Sequence, residues 1–209
     1  MSLRVETTVT CPGCGRSNTV QLVRSLNSQV DAGLKATLLA GQLNILPCEC
    51  GKRTPLAADL VFHDPVAGFF CQVCVGDESA VARGKKAFVE AGVGSGRRIV
   101  RSMNALIEKV KLLDAGLEDW AIEMLKVLLL SSLPTPMIEE QVLFDGVDAE
   151  KGLLSWVLPG SPEPRLLSSP LAAYARGLRL WRAVAPGEEY EIDRAWAVAA
   201  LRKVMPLPA

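Results

Sequence analysis

The chain has little of several things that usually announce a function. It holds a single histidine, His63, in 209 residues. Aromatic residues make up only 5%, so aliphatic side chains must build most of the core, and few rings are available to stack on bases. Neither sign of charge is in excess, with 23 Lys and Arg against 23 Asp and Glu. That balance argues against a protein that lives as a whole on a polyanion. No apolar run reaches the length of a membrane span. The longest, Val127-Leu128-Leu129-Leu130, lies in a segment with Glu123 and Lys126 and reads as a buried helix. No basic-then-apolar signal pattern precedes Cys11. The expected compartment is therefore the cytoplasm, where thiols stay reduced and clustered cysteines more often mean metal than disulfide.

Catalytic motifs are also missing. His63-Asp64 could form an acid/base pair, but no serine or cysteine nucleophile is tied to it by a motif, and a strand-ending hydrogen-bond cluster is the preferred reading. Gly92-Val93-Gly94-Ser95-Gly96 lacks the Lys-Ser/Thr of a phosphate-binding loop and reads as a turn into a helix. No small-molecule substrate is identifiable.

What is present is cysteine. Six occur as three close pairs, Cys11/Cys14, Cys48/Cys50 and Cys71/Cys74. Cys11-Pro12-Gly13-Cys14-Gly15 has the chemistry of a zinc knuckle. Its proline fixes the turn after the first cysteine. Its closing glycine permits positive φ, so that backbone N–H groups can turn toward the sulfurs. Cys48-Glu49-Cys50-Gly51 keeps the Cys-Gly ending but spaces its cysteines by one residue instead of two. Together these predict a four-thiolate structural zinc (Zn2+) site of Cys11, Cys14, Cys48 and Cys50. The alternative keeps Cys50 and replaces Cys48 with His63, Cys71 or Cys74. Arg16, Lys52 and Arg53 lie beside the knuckles and could offset the site's negative charge. Cys71 and Cys74, three apart in an apolar strand, face opposite sides and read as buried thiols outside the site.

Periodicity predicts an α+β protein. Strands are expected over residues 1–10, 19–26, 56–62 and 66–75, with a short helix over 31–40. Ile99, Met103, Leu106, Ile107 and Val110 share a helical face, with Glu108, Lys109 and Lys111 largely off it. Asp114-Ala115-Gly116 ends that helix. Leu117, Trp120, Met124 and Leu128 begin a second, closed by Pro134 and Pro136. The short connection predicts an antiparallel helical hairpin. Strands follow at 137–142 and 152–158. A helix starts at Ser169-Pro170, with Ser169 as cap, and a last one at Asp193. The expected architecture is a zinc-ribbon-like β region with a short inserted helix, a long helical hairpin and a C-terminal α+β segment. The expected domains are residues 1–131, zinc-binding with the hairpin, and 132–209, an extension packed on it.

Charge is unevenly placed. Residues 83–111 hold eight Lys or Arg and two acids, and residues 112–150 hold one Lys and nine acids. The preferred reading is that two adjacent helices pair their opposite charges.

These residues resemble the CpXC domain family, prokaryotic proteins named for paired Cys-Pro-x-Cys motifs. The resemblance runs from Cys11-Pro12-Gly13-Cys14-Gly15 through Leu39-Ala40-Gly41-Gln42-Leu43-Asn44 and Leu60-Val61-Phe62-His63-Asp64. It continues over residues 98–110 and 115–126, and covers roughly 8–131. The second motif departs from the family, with Pro47-Cys48-Glu49-Cys50 in place of Cys-Pro-x-Cys. The resemblance implies cysteine ligands and no particular activity. The leading functional expectation is a zinc-binding protein-interaction module, whose partner is another protein or a second copy. Nucleic-acid binding is the alternative, on residues 83–111 and Arg176, Arg179 and Arg182. A thiol- or metal-dependent enzyme using His63, Asp64 and the cysteines ranks third.

Overall fold

The computed structural model describes residues 2–91, 96–133, 140–160 and 163–205. The chain divides into two compact units, residues 1–107 and 108–209.

The first unit is built on a five-stranded sheet. Strands β1 (Leu3–Thr10) and β2 (Ser17–Asn27) form an antiparallel hairpin. Helix α1 (Ala32–Leu39) follows and stops at Gly41, whose φ of 65° lets the chain turn back. A small hairpin comes next, β3 (Ile45–Pro47) and β4 (Arg53–Pro55). Strand β5 (Leu60–Asp64) then enters the main sheet parallel to β2, and β6 (Phe69–Val73) returns antiparallel to it. Helix α2 (Glu78–Glu90) crosses over to β7 (Arg97–Val100), parallel to β6. The sheet order is β1-β2-β5-β6-β7.

Periodicity alone did not anticipate α2, although its signals are present. Asp77 accepts the backbone N–H groups of Ser79 and Ala80 as an N-cap. Ala80, Val81, Gly84 and Phe88 are buried at helical spacing. Gly84 lies mid-helix because α2 runs close over β6: a Cβ there would come within 2.9 Å of Cys74 Sγ. Another expectation changes at Ile99, which belongs to β7 and not to the next helix. Parallel pairing with β6 claims that backbone. Helix α3 (Met103–Asp114) starts only after Ser102, whose Oγ accepts the Ala105 N–H.

In the second unit, α3 connects through Gly116, at φ 64°, to α4 (Asp119–Ser131). Lys109 of α3 meets Asp119, and Glu108 meets Lys126, so the ion pairs run in antiparallel order. A three-stranded sheet is ordered β10-β9-β8, from β8 (Leu143–Asp148), β9 (Leu153–Leu158) and β10 (Arg165–Pro170). Helices α5 (Leu171–Leu180) and α6 (Arg194–Val204) complete it. The expected strand at 137–142 is replaced by β8, which starts at Leu143; residues 134–139, including Pro134 and Pro136, lie outside the described residues. Ser169 is not a helix cap. It lies within β10, paired with Leu154, and its buried hydroxyl accepts the Trp156 indole N–H at 3.0 Å. Asp193 does cap α6, through the Trp196 N–H.

The core of this unit buries five of the eleven aromatics. Trp120, Phe144, Trp156, Tyr174 and Trp181 pack with Leu154, Ile122 and Ala197. The Phe144 and Trp156 rings meet edge to face, 5.9 Å apart.

Candidate metal centre

The two knuckles occupy the tips of two hairpins. Residues 11–16 connect β1 to β2, whose last pair is Thr10 and Ser17. Residues 48–52 connect β3 to β4, whose last pair is Pro47 and Arg53. The loops are built alike. In the first, the Cys11 N–H donates to the Arg16 carbonyl and the Gly15 N–H to the Cys11 carbonyl. In the second, the Cys48 N–H donates to the Lys52 carbonyl and the Gly51 N–H to the Cys48 carbonyl. Every offset is one residue shorter in the second loop. Gly15 and Gly51 close the loops at φ 72° and 86°, a conformation side chains resist. The short spacer therefore deletes a residue from the turn and keeps its hydrogen-bond pattern. In both loops the first cysteine is buried and the second exposed.

The knuckles converge. The Sγ atoms of Cys11, Cys14, Cys48 and Cys50 all lie within 4.8 Å of one another. Cys11 and Cys50 are 3.7 Å apart, and Cys14 and Cys48 are 3.6 Å apart. A disulfide would need about 2.05 Å. A tetrahedral ion with metal–sulfur bonds of about 2.3 Å sets its sulfurs about 3.8 Å apart, so the donor set fits a four-coordinate metal.

The electrostatics agree. The Gly13 N–H points at Cys11 Sγ at 3.4 Å and draws that thiol down to about 6, against the opposing effect of burial. The Arg16 backbone favours the Cys14 thiolate, but the sulfurs of Cys48, Cys50 and Cys11 together push Cys14 up to about 11. A sulfur crowded by other sulfurs resists ionising until a cation offsets the accumulating negative charge.

Three things bring the tips together. Cys11, Leu46 and Cys48 form a small buried cluster, with Val9, Val20 and Leu56 packed on it. Lys52 lays its stem across Gly13, where a Cβ would meet Lys52 Cδ at 2.8 Å. The third is Asn44, which sequence reasoning noted only within the family-like run 39–44. At φ 55°, its side chain pairs with β2 like a strand: Oδ1 accepts the Val23 N–H at 2.8 Å, and Nδ2 donates to the Val23 carbonyl at 3.0 Å. Its own carbonyl accepts the Leu56 N–H. The signal for it was the asparagine itself, a residue that tolerates left-handed backbone. Asn44→Ala orphans both buried groups of Val23 and is expected to destabilise the first unit by roughly 2–4 kcal/mol. Guanidinium denaturation of the metal-loaded chain checks this.

The other candidates lie apart from the sulfurs. Arg16 pairs with Glu49, joining the two loops across an exposed contact, and Arg53 donates to Gln42. His63 lies flat on Phe70, ring centres 3.8 Å apart, and its burial lowers its proton affinity. Burial alone would raise the Asp64 carboxyl. The N–H groups of Ala67 and Val66, the Ser28 hydroxyl and the Lys35 charge outweigh it and hold the group below the usual range. Asp64 thus caps the turn into β6. Cys71 and Cys74 are buried in and just after β6 and take no part in the sulfur cluster.

One group of charges departs from expectation. Glu108 and Lys109 lie off the apolar face that the sequence predicts, yet both are buried, as are Glu123 and Lys126. Lys109 Nζ contacts Asp119 at 2.8 Å and Glu123 at 3.6 Å, and donates to the Ile192 carbonyl. Lys126 Nζ lies 3.0 Å from both Glu108 and Glu123. The opposed charges of α3 and α4 therefore do pair, but inside the unit.

Fold and site together define an α+β protein with four cysteines placed to hold a metal at the meeting of two hairpin tips. The chain belongs to the CpXC protein family, whose model matches residues 9–126. The matched stretch takes in both knuckles and runs into α4. No curated protein and no solved structure matches the chain. No helix among the described residues is long and apolar enough to cross a membrane.

Proposed function

We propose that Cys11, Cys14, Cys48 and Cys50 hold one structural zinc ion, and that the ion locks two hairpins of a protein-interaction module. The observation that carries the reading is the spacing of the sulfurs, 3.7 Å for Cys11 and Cys50 and 3.6 Å for Cys14 and Cys48, with all four within 4.8 Å of one another. Four thiolates suit zinc, and they complete its preferred coordination with no position left for a substrate. When bound, the ion supplies cross-linking and charge. The protein's own residues supply the rest: Gly13 and the knuckle glycines shape the loops, and Asn44 sets their separation. A reducing, cytoplasmic setting suits such a site.

Interaction with protein is favoured over nucleic acid by how the basic residues are used. Arg101 pairs with Glu78, Lys86 with Glu90, Lys111 with Asp145, and Lys109 is buried. Elemental analysis of the purified chain is expected to give one equivalent of zinc. Cobalt is expected to replace it with the visible absorption of tetrahedral thiolate coordination. Folded protein without metal, never exposed to chelator, would overturn the zinc reading. A salt-sensitive shift of labelled DNA or RNA would overturn the preference for protein.

A further inference from the structure

Strand β1 is an edge. It pairs with β2 on one side only, so a row of backbone N–H and C=O groups faces outward. Proteins usually blunt such edges with short strands, charges, proline or a bulge. Three other edge strands, β7, β10 and β8, carry such features. Strand β7 has four residues and opens with Arg97 and Arg98. Strand β10 ends in Pro170. Strand β8 has an irregular register between Phe144 and Gly146 and carries Asp145 and Asp148.

Strand β1 is different. It has eight residues, twice the length of β7, no lysine or proline, and its two charges, Arg4 and Glu6, are of opposite sign. The register shift in its hairpin sets Leu3 opposite Ser25 and Arg4 opposite Val23, so the extra residue, Arg24, is on β2. The outer edge of β1 stays regular. All of Leu3, Arg4, Val5 and Glu6 are exposed, with Leu3 at 55% and Val5 at 44%.

The strand is also complementary to itself. In a symmetric antiparallel pair, directly opposite residues share a face, so the twofold axis passes through a residue. An axis through Val5 sets Arg4 of each copy opposite Glu6 of the other, and Leu3 opposite Thr7. An axis through Arg4 or Glu6 would oppose like charges, and one through Thr7 would leave both charges without a partner of opposite sign. On the other face Val5 is already paired with Leu22 of β2. The Val5 register would extend that contact into an apolar row of Leu22, Val5, Val5 and Leu22 across two copies. Glu6 is held on the charged face by Gln21, which donates to it at 3.1 Å.

We propose that β1 is a homodimerisation edge, pairing antiparallel with β1 of a second copy about an axis through Val5 and joining two five-stranded sheets into one. This deepens the interaction reading above by naming its partner. Sedimentation equilibrium of the full, metal-loaded chain in reducing buffer tests it. The expected species is a dimer of twice the 22.5 kDa chain. Arg4→Glu turns two attractive cross-strand pairs into repulsive ones and is expected to weaken the dimer about tenfold or more. Arg4→Glu combined with Glu6→Arg is expected to restore it. Val5→Lys, with two lysines at the axis, is expected to leave monomer. A monomer at every concentration overturns the proposal. So does a dimer indifferent to both Arg4→Glu and Val5→Lys, or a folded double variant that stays monomeric. Zinc measured on the same samples separates the two claims: a zinc-loaded monomer sinks only the dimer, and a zinc-free dimer sinks only the metal site.

Discussion

Cys48→Ser is expected to lower zinc affinity roughly a hundredfold or more. The estimate spreads the roughly 10–16 kcal/mol of a structural zinc site over four ligands, which leaves roughly 3 kcal/mol for each thiolate. The same change at Cys71 or Cys74 is expected to leave one equivalent of zinc in place, since neither joins the sulfur cluster. Competition with a chromophoric chelator measures the difference. Chelation should then loosen the residues between the hairpin tips first, because the buried cluster beneath them is small, with Cys11 and Cys48 themselves two of its three buried members. Hydrogen exchange at the Gly13, Gly15 and Gly51 amides would report that loosening. If Cys48→Ser keeps its zinc while Cys71→Ser or Cys74→Ser loses it, the ligand set proposed here is wrong.

The second large effect concerns the buried charges of the second unit. Glu108, Asp119 and Glu123 face Lys109 and Lys126, three acids against two bases. Lys126→Met removes the one cation lying 3.0 Å from both Glu108 and Glu123. It leaves Glu108 buried without its ion-pair partner and Glu123 with Lys109 alone, at 3.6 Å, and is expected to destabilise by about 3–5 kcal/mol. Glu108→Gln works the other way. It evens the charges, and its amide oxygen can still accept the Phe144 N–H that Glu108 now accepts at 2.6 Å. Its expected effect is under about 1.5 kcal/mol. Denaturant titration of both variants separates them, and equal losses would show that the charge balance does not matter.

The pH dependence follows from the same groups. Burial lowers Lys109 and Lys126, but Asp119, Glu123 and Glu108 more than offset it, and both lysines end above their ordinary value of 10.5. A raised lysine contributes fully below that value, and its contribution is lost only as pH climbs through the folded-state value. Glu108 gives the same sign of pH dependence in a lower range. Burial lifts its carboxyl against the pull of Lys126, so its ionisation works against folding above the ordinary carboxylate range. Glu108→Gln is therefore expected to flatten the loss of stability on passing from acid to neutral pH.

Much of the fold could be read locally. Alternation marked β1, because a strand shows its two faces in neighbouring residues, and short strand-forming runs marked β9 and most of β2. Gly41 and Gly116 marked helix ends, because positive φ is open to glycine at little cost. Asp193 marked the start of α6 through a bond to its own next turn. The knuckle sequences pointed to metal because Cys-Pro-Gly-Cys-Gly carries its own turn chemistry. Where reading failed, a distant partner had decided. Ile99 fits a helical face, but β6 offered it a ladder. Ser169 has the chemistry of a cap, but Trp156 needed an acceptor in the core. Glu108 and Lys109 looked like solvent residues until α4 supplied opposite charges at the right height.

The same division applies to the cysteine site. By itself the sequence determined that two short loops end in Cys-Gly and can turn their backbone toward sulfur, since turn geometry depends on adjacent residues. Only the tertiary structure decided that the shorter loop keeps the pattern of the longer one, and that Cys48 stands 3.6 Å from Cys14 while Cys71 and Cys74 stay outside the sulfur cluster. That decision belongs to the pairing of Asn44 with Val23 across 21 residues of chain. Local pattern does not encode such a contact, because its energy is realised only when two distant segments have already met.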